Sequence, residues 1–442
     1  MEVTEDRRLK RPNPMAGLLD TLIWLPLPIV IIVSNMKDGC GLASDIISHL
    51  PDNVKETILM CLPIQDAVRT SVLSRKWRYI WVKLPQLVFD YTFYKNSFWK
   101  TKNELVMVIY QVLLLHHGPI LKFTLSLPKL ESCFEIDQLI YFASKNGTQE
   151  FTLRIWTGTY KLPSSLFSCL QLKHLNLHSC MFKPPPEFKG FSRLLSLELR
   201  EVVITADILS SLISSCLLLE RLTVESSTSF EHLEIAAPNL RFLRCKGLFS
   251  SICFKNTPQL ARVSIYLNKE VLMEGESSNS VMCFGSLPVV EFLELNGYYV
   301  MGMAAGKVPK MLPTTLSHLK ILELNDICFG EPNEACTRET SAIDPVLELL
   351  VLLEMQDGWG VYLNQLREVE MRNLSGIRFE LDLIKLLLAK SPMLERMLIE
   401  PNSEVVLDKG LRILKKLTRF QRLSPQAQIT YYDPDEDSED EV

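Results

Sequence analysis

No two of the eleven cysteines, spread from Cys40 to Cys336, stand as Cys-x-x-Cys. That excludes a zinc ribbon and a thioredoxin-type redox motif. The count is odd, and Cys169, Cys216 and Cys245 sit inside apolar runs. There a free thiol behaves as a small buried hydrophobe, which fits a reduced, intracellular protein of the nucleus or cytoplasm. A glycine-rich phosphate loop of P-loop or Rossmann form is also missing. Histidine is scarce, at seven. His174 and His178 share a strand face, but four residues of extended chain put them about 13 Å apart, too far to share one ion. With no nucleophile–base set to choose, neither catalysis nor a metal nor a cofactor is expected. Excess positive charge is lacking too. The net charge is −5, and the last ten residues, 433–442, hold seven acids and no base. Removing those seven leaves +2 on the body, which gives no basic track for a polyanion. The tail itself reads as a disordered, solubilising end.

One long apolar run is present. Met15 to Val33 spans 19 residues behind Arg7, Arg8, Lys10 and Arg11. Its length is near the roughly 20 residues that cross a bilayer. Asp20, Pro26 and Pro28 interrupt it, and no small-residue cleavage pattern follows. Residues 1–40 are therefore read as an N-terminal extension, poorly ordered or helical, with Met36 as the true start and the residues before it non-functional, and with a membrane anchor as the alternative.

From about residue 100 to 365 a unit of the form apolar-x-x-apolar-x-apolar recurs. It appears as LKHLNL (172–177), LLSLEL (194–199), LERLTV (219–224), LRFLRC (240–245), LARVSI (260–265), VEFLEL (290–295), LKILEL (319–324), LREVEM (366–371) and LERMLI (394–399). ILKFTL (120–125) and FEHLEI (230–235) are weaker copies. Successive starts lie 22, 25, 21, 20, 30, 29, 47 and 28 residues apart. Most fit the leucine-rich-repeat range, and the long gap over Cys328–Gln365 implies an insertion or a degenerate copy. LISSCLLLERLTV (212–224) aligns with LLAKSPMLERMLI (387–399), each a helix end leading into a strand. Thr205 or Asp207 is placed to cap the first of these helices. The expected class is α/β: a curved solenoid of strand-plus-helix repeats that bury one another's apolar faces.

In such strands the apolar positions point inward and their neighbours outward. The outward set lines the concave face, where a partner is expected. Its candidates are His174, Asn176, Glu198, Arg200, Arg221, Arg244, Arg262, Tyr266, Phe292 and Glu294. Phe242, Glu323, Asn325, Glu370 and Arg372 belong to the same set. The mixed charge and aromatics suit a protein or a small polar ligand better than a polyanion.

Residues 45–90 are dense and helical. Val54, Ile58, Leu59 and Leu62 repeat at helical spacing after Leu50-Pro51-Asp52, and Leu62-Pro63 ends that helix. A second start follows at Asp66. From Val68, the apolar positions Val72, Leu73, Trp77, Ile80, Trp81 and Leu84 advance by three or four, which predicts one stripe with Arg75, Arg78 and Lys83 beside it. Arg75, Lys76 and Arg78 form a short basic edge. A nucleic-acid role for it is disfavoured, because Trp77 and Trp81 lie on the packing face.

The run LPDNVKETILMCLPIQDAVRTSVLSRKWRYIW (50–81) resembles an F-box of the plant type. LPSSLFSCLQLKHLNL (162–177) and APNLRFL (237–243) are similar to plant F-box leucine-rich-repeat proteins, and residues 366–432 resemble the FBD domain that ends many of them. The resemblance implies an N-terminal three-helix F-box, then the solenoid, then an FBD segment continuing it. It also implies a non-catalytic subunit of a Skp–cullin–F-box ubiquitin ligase. In such a subunit the F-box docks a Skp-family adaptor, and through it the cullin and RING subunits, while the repeats hold a protein substrate. Carried onto matching positions, the adaptor contacts are Leu50, Pro51, Ile58, Leu62, Pro63, Val72, Leu73 and Trp77. Lys55 departs from the pattern, standing where an apolar residue is expected. It supports the alternative of a repeat scaffold or receptor whose F-box does not engage a ligase.

Overall fold

The computed structural model describes residues 47–95, 101–128, 130–131, 133–230, 232–249, 252–268, 289–298, 318–326, 363–402 and 407–432. The N-terminal extension, residues 328–362 of the long gap and the acidic tail lie outside them. The chain divides into two compact units, Met1–Pro186 and Glu187–Val442.

In the first unit, α1 (Asp52–Met60) and α2 (Ile64–Arg69) each begin behind a proline, Pro51 and Pro63. Asp52 and Asp66 occupy the first turns, where a carboxylate complements the helix dipole. The single third helix read from the sequence is absent. The chain instead runs through a 3₁₀ turn at Thr70–Val72, a series of turns, and a second 3₁₀ turn at Trp81–Lys83. Serine hydroxyls draw the backbone into turns here. Ser71 Oγ donates to the Arg78 carbonyl at 2.9 Å, and Ser74 Oγ accepts from the Lys76 amide at 3.3 Å. The predicted stripe therefore splits: Trp77, Ile80, Trp81 and Leu84 are buried, whereas Val72 and Leu73 are exposed.

The chain continues as β1 (Gln86–Phe89), α3 (Tyr91–Lys95), α4 (Lys102–Leu115), β2 (Lys122–Leu125), α5 (Phe134–Lys145), β3 (Glu150–Arg154), β4 (Tyr160–Lys161), β5 (His174–His178) and β6 (Cys180–Met181). A capping box of Thr101 and Glu104 starts α4. Strands β1, β2, β3 and β5 pair in that order, all parallel, and β4 pairs with β6. Phe89, Phe123 and Phe151, one per strand, pack at 6.1 and 5.9 Å between ring centres.

The second unit holds β7 (Ser196–Arg200), α6 (Ala206–Ser215), β8 (Arg221–Phe230), β9 (Leu233–Ala236), β10 (Phe242–Phe249), β11 (Ile252–Lys255) and β12 (Arg262–Leu267). Then follow β13 (Phe292–Asn296), β14 (Ile321–Asn325), β15 (Glu368–Leu374), α7 (Arg378–Lys390), β16 (Arg396–Pro401), α8 (Leu407–Leu417) and β17 (Gln428–Tyr431). Its main sheet is parallel throughout, in the order β7-β8-β10-β12-β13-β14-β15-β16-β17. Thr205 caps α6 by accepting the Ile208 amide at 3.4 Å, and the α6-to-β8 and α7-to-β16 passages follow the self-similarity seen in the sequence.

A helix does not join every pair of strands, which corrects the strand-plus-helix expectation. The chain between β8 and β10 carries β9, and that between β10 and β12 carries β11; these pair with each other. Residues 231–241 and 250–261 are too few for a packed helix with its two turns. The copy FEHLEI accordingly enters this small sheet and not the main one. Alternation holds in most main-sheet strands, with Leu222, Val224, Leu243, Cys245, Val263 and Ile265 inside. At Gly247 the register shifts between β8 and β10. Its φ of +146° belongs to glycine, and a Cβ there would strike the Ser226 carbonyl oxygen.

Candidate functional site

The helical module presents two layers. Beneath lie Leu59, Trp77 and Trp81, all but inaccessible. Lys55 joins them: it is buried, its Nζ lies 3.2 Å from Asp52 Oδ1, and it sits 6.0 Å over the Trp77 ring. The lysine stem fills the apolar place and its head reaches an exposed carboxylate, so α1 is intact at the position where an apolar residue was expected. Gln65 Nε2 donates to the Phe93 carbonyl at 2.6 Å, and Arg69 Nη1 pairs with Asp66 at 2.7 Å. The first bond fixes α2 against the rest of the unit; the second lies within α2.

Above lies an apolar layer that no other described residue covers. Ile58 is 39 %, Leu73 45 % and Val72 52 % exposed, and Val54, one turn before Ile58, faces solvent with it. Pro51 is exposed, and Leu50, Leu62 and Pro63 are partly so. Trp77, at 2 %, is a core residue and leaves the contact set inferred from the sequence. Ile47, which sequence reasoning missed, is exposed as well. Ser48 Oγ donates to Ser74 Oγ at 2.9 Å, which holds the Ile47 turn beside the Leu73 turn. Tertiary contacts such as this one join the two apolar segments, so no local periodicity could have revealed it.

In the first unit's sheet, His174 is exposed and Asn176 half-buried. His178 is held by the Ile155 carbonyl and Ser179 Oγ, at 3.2 and 3.0 Å from Nδ1.

On the second unit's sheet the outward residues form in-register rows. One row runs Arg221, Phe242, Arg262, Phe292. The guanidinium of Arg221 stacks 4.5 Å over Phe242, and that of Arg262 lies 4.2 Å over Phe292. A second row carries Glu294, Glu323 and Glu370. Tyr266 OH donates to Glu294 Oε1, and Asn325 Nδ2 donates to both, at 3.0 Å to Tyr266 and 3.1 Å to Glu294. Phe292 and Glu294 are thus 6 % and 9 % exposed, not open as the strand alternation implied. Long neighbouring side chains fold over them. Burial, the facing Glu294 and Glu370 carboxylates and a hydrogen bond with Glu294 push the Glu323 carboxyl up to about 7. Burial and the bond to Glu294 likewise raise the Tyr266 phenol.

Most other cations on this face are paired. Arg200 meets Glu198 at 2.5 Å and Glu225 at 3.4 Å; Arg244 lies 3.7 Å from Glu225 and 5.3 Å over Tyr266. Arg372 holds Glu370 and Glu400, and Arg396 meets Glu368 at 2.9 Å. With Tyr432, these last residues line an open depression of about 450 Å³ over β15 and β16. Among the described residues no cluster could hold a metal ion, and no helix is long and apolar enough to cross a membrane.

A model of the F-box domain matches residues 47–88, and a model of the leucine-rich repeats of FBD-associated F-box protein At5g56370 matches residues 136–338. The chain is 37% identical over 414 residues to F-box/FBD/LRR-repeat protein At1g13570 of Arabidopsis thaliana, covering 88% of this chain and 99% of that protein. It is 28% identical over 345 residues to the putative FBD-associated F-box protein At1g55030 of the same plant, covering 72% of this chain and 78% of that one. To FBD-associated F-box protein At5g56370 it is 33% identical over 230 residues, covering 49% and 52%. With the apolar module at one end and in-register parallel strands through the rest, this chain belongs to the F-box/FBD/LRR-repeat proteins.

Proposed function

We propose that this protein is the substrate-recognition subunit of a Skp–cullin–F-box ubiquitin ligase, acting without catalysis of its own. The supporting observation is the apolar layer of Ile47, Val54, Ile58, Val72 and Leu73, exposed among the described residues over a closed core. Such a surface in a module that matches the F-box suits burial against helices of a Skp-family adaptor. The repeat face, continued by the assigned FBD segment 366–432, then holds a protein substrate near the charged ubiquitin, an effect of proximity. The scaffold alternative drew on Lys55, and Lys55 packs into α1 without disrupting it. Purified full-length protein should retain a Skp-family adaptor in a pulldown, and Leu50→Ala/Pro51→Ala should weaken retention. No retention by the wild type, or equal retention by the double variant, overturns the reading.

A further inference from the structure

We propose that the row Arg221–Phe242–Arg262–Phe292 docks a protein segment in the polyproline II conformation bearing two acidic side chains three residues apart. The inference rests on the reading that the repeat face holds a protein, and it names the chemistry of that protein. Arg221 and Arg262 are exposed, and among the described residues neither forms an ion pair. They differ in this from Arg200, Arg244, Arg372 and Arg396, whose carboxylate partners are close. Each of the two lies on the ring of the next strand. A guanidinium stacked on a ring is ordered in advance yet keeps its N–H edge for a carboxylate, which it grips in bidentate fashion. Ordering in advance lowers the entropy lost on binding.

Spacing sets the register. One strand, β10, separates the two arginines, so they stand two strand steps apart, about 9.6 Å. A peptide in the polyproline II conformation advances about 3.1 Å per residue with three residues per turn, so residues i and i+3 share a face and meet the two cations. Phe242, half-buried beneath the Arg221 guanidinium, holds the first of these cations in place. A nucleic acid fits less well. Glu294, Glu323 and Glu370 line the adjoining strands, and continuous phosphates would be driven across them. A peptide carries its acids only where the arginines are.

The test uses the full chain and fluorescence anisotropy. The probes are a labelled Gly/Ser peptide of twelve residues with Asp at i and i+3, its isomer with Asp at i and i+2, and a twelve-nucleotide single strand. The i,i+3 peptide should bind most tightly and weaken with added salt. Arg221→Gln/Arg262→Gln should lose about tenfold, and Arg262→Lys, which keeps charge but not the stacked fork, should fall between. Melting curves and adaptor retention, read on the same preparations, should match the wild type. Adaptor retention reports on the ligase reading separately from peptide binding. The docking proposal is overturned if the double variant binds the i,i+3 peptide as the wild type does. It is equally overturned if the nucleotide strand binds more tightly than the peptide, or if a wild-type chain that retains the adaptor binds neither peptide.

Discussion

Replacing Ile58 and Leu73 together by alanine separates contact from core in the helical module. Fully burying such a side chain is worth about 1.5–3 kcal/mol. Ile58 and Leu73 leave 39 % and 45 % of their surfaces in water, so a partner that covers them can recover about 1 kcal/mol from each. The pair is then worth about 2 kcal/mol, or roughly thirtyfold in Kd. Trp77 offers the opposite case. At 2 % exposure it has almost nothing left to give a partner, and its truncation empties a core site at about 3–5 kcal/mol of stability. Calorimetric titration with purified Skp-family adaptor, paired with thermal melting by circular dichroism, reads both quantities. Ile58→Ala/Leu73→Ala should raise Kd about thirtyfold with only a modest fall in Tm. Trp77→Phe should lower Tm while the folded fraction keeps its affinity. A double variant with wild-type Kd, or a Trp77→Phe protein that stays folded and loses the adaptor, would refute the two-layer reasoning.

Lys55→Met keeps the volume packed on Trp77, so its unfolding free energy should stay within about 1.5 kcal/mol of wild type, with adaptor affinity unchanged; a variant that fails to fold contradicts the packing role given to the lysine stem. Gly247→Ala forces a side chain into a backbone conformation that only glycine tolerates, against the Ser226 carbonyl. Urea unfolding should show a loss of about 1–3 kcal/mol or more, and no loss would rule out the strained bulge. Glu323 is raised from the usual glutamate value to about 7, so the folded chain holds that proton more firmly than the unfolded chain. Its contribution to stability is complete below about pH 4.5 and is lost as pH rises through 7. Urea midpoints from pH 5 to 8 should therefore fall more steeply for wild type than for Glu323→Gln, and parallel profiles would exclude the raised Glu323 carboxyl.

Local spacing carried much of this molecule. The alternation in LKHLNL, LERLTV or LREVEM marked strands whose leucines are buried as read, because a strand's two faces follow from a period of two whatever surrounds it. Thr205 announced its helix for the same reason: a cap acts within three residues. The strands QLVF at β1 and QITY at β17 went unread, since without the full repeat pattern a short apolar stretch looks the same in a loop or a strand. Helical spacing also placed Val72 and Leu73 on one stripe with Trp77. The hydroxyls of Ser71 and Ser74 broke that stripe, and so divided a contact layer from a core.

The sequence alone determined that strands recur, which way their side chains face, and that a helical module precedes them, because these depend on neighbours along the chain. Only the tertiary structure decided what stands beside what. It placed the Ile47 turn against the Leu73 turn through two serines and laid Arg221 and Arg262 on the rings of adjoining strands. It also gathered Glu294, Glu323 and Glu370 into one row. Those neighbours are about 21 to 47 residues apart in the chain, and for those on the sheet, parallel register, which no local pattern encodes, sets the distances.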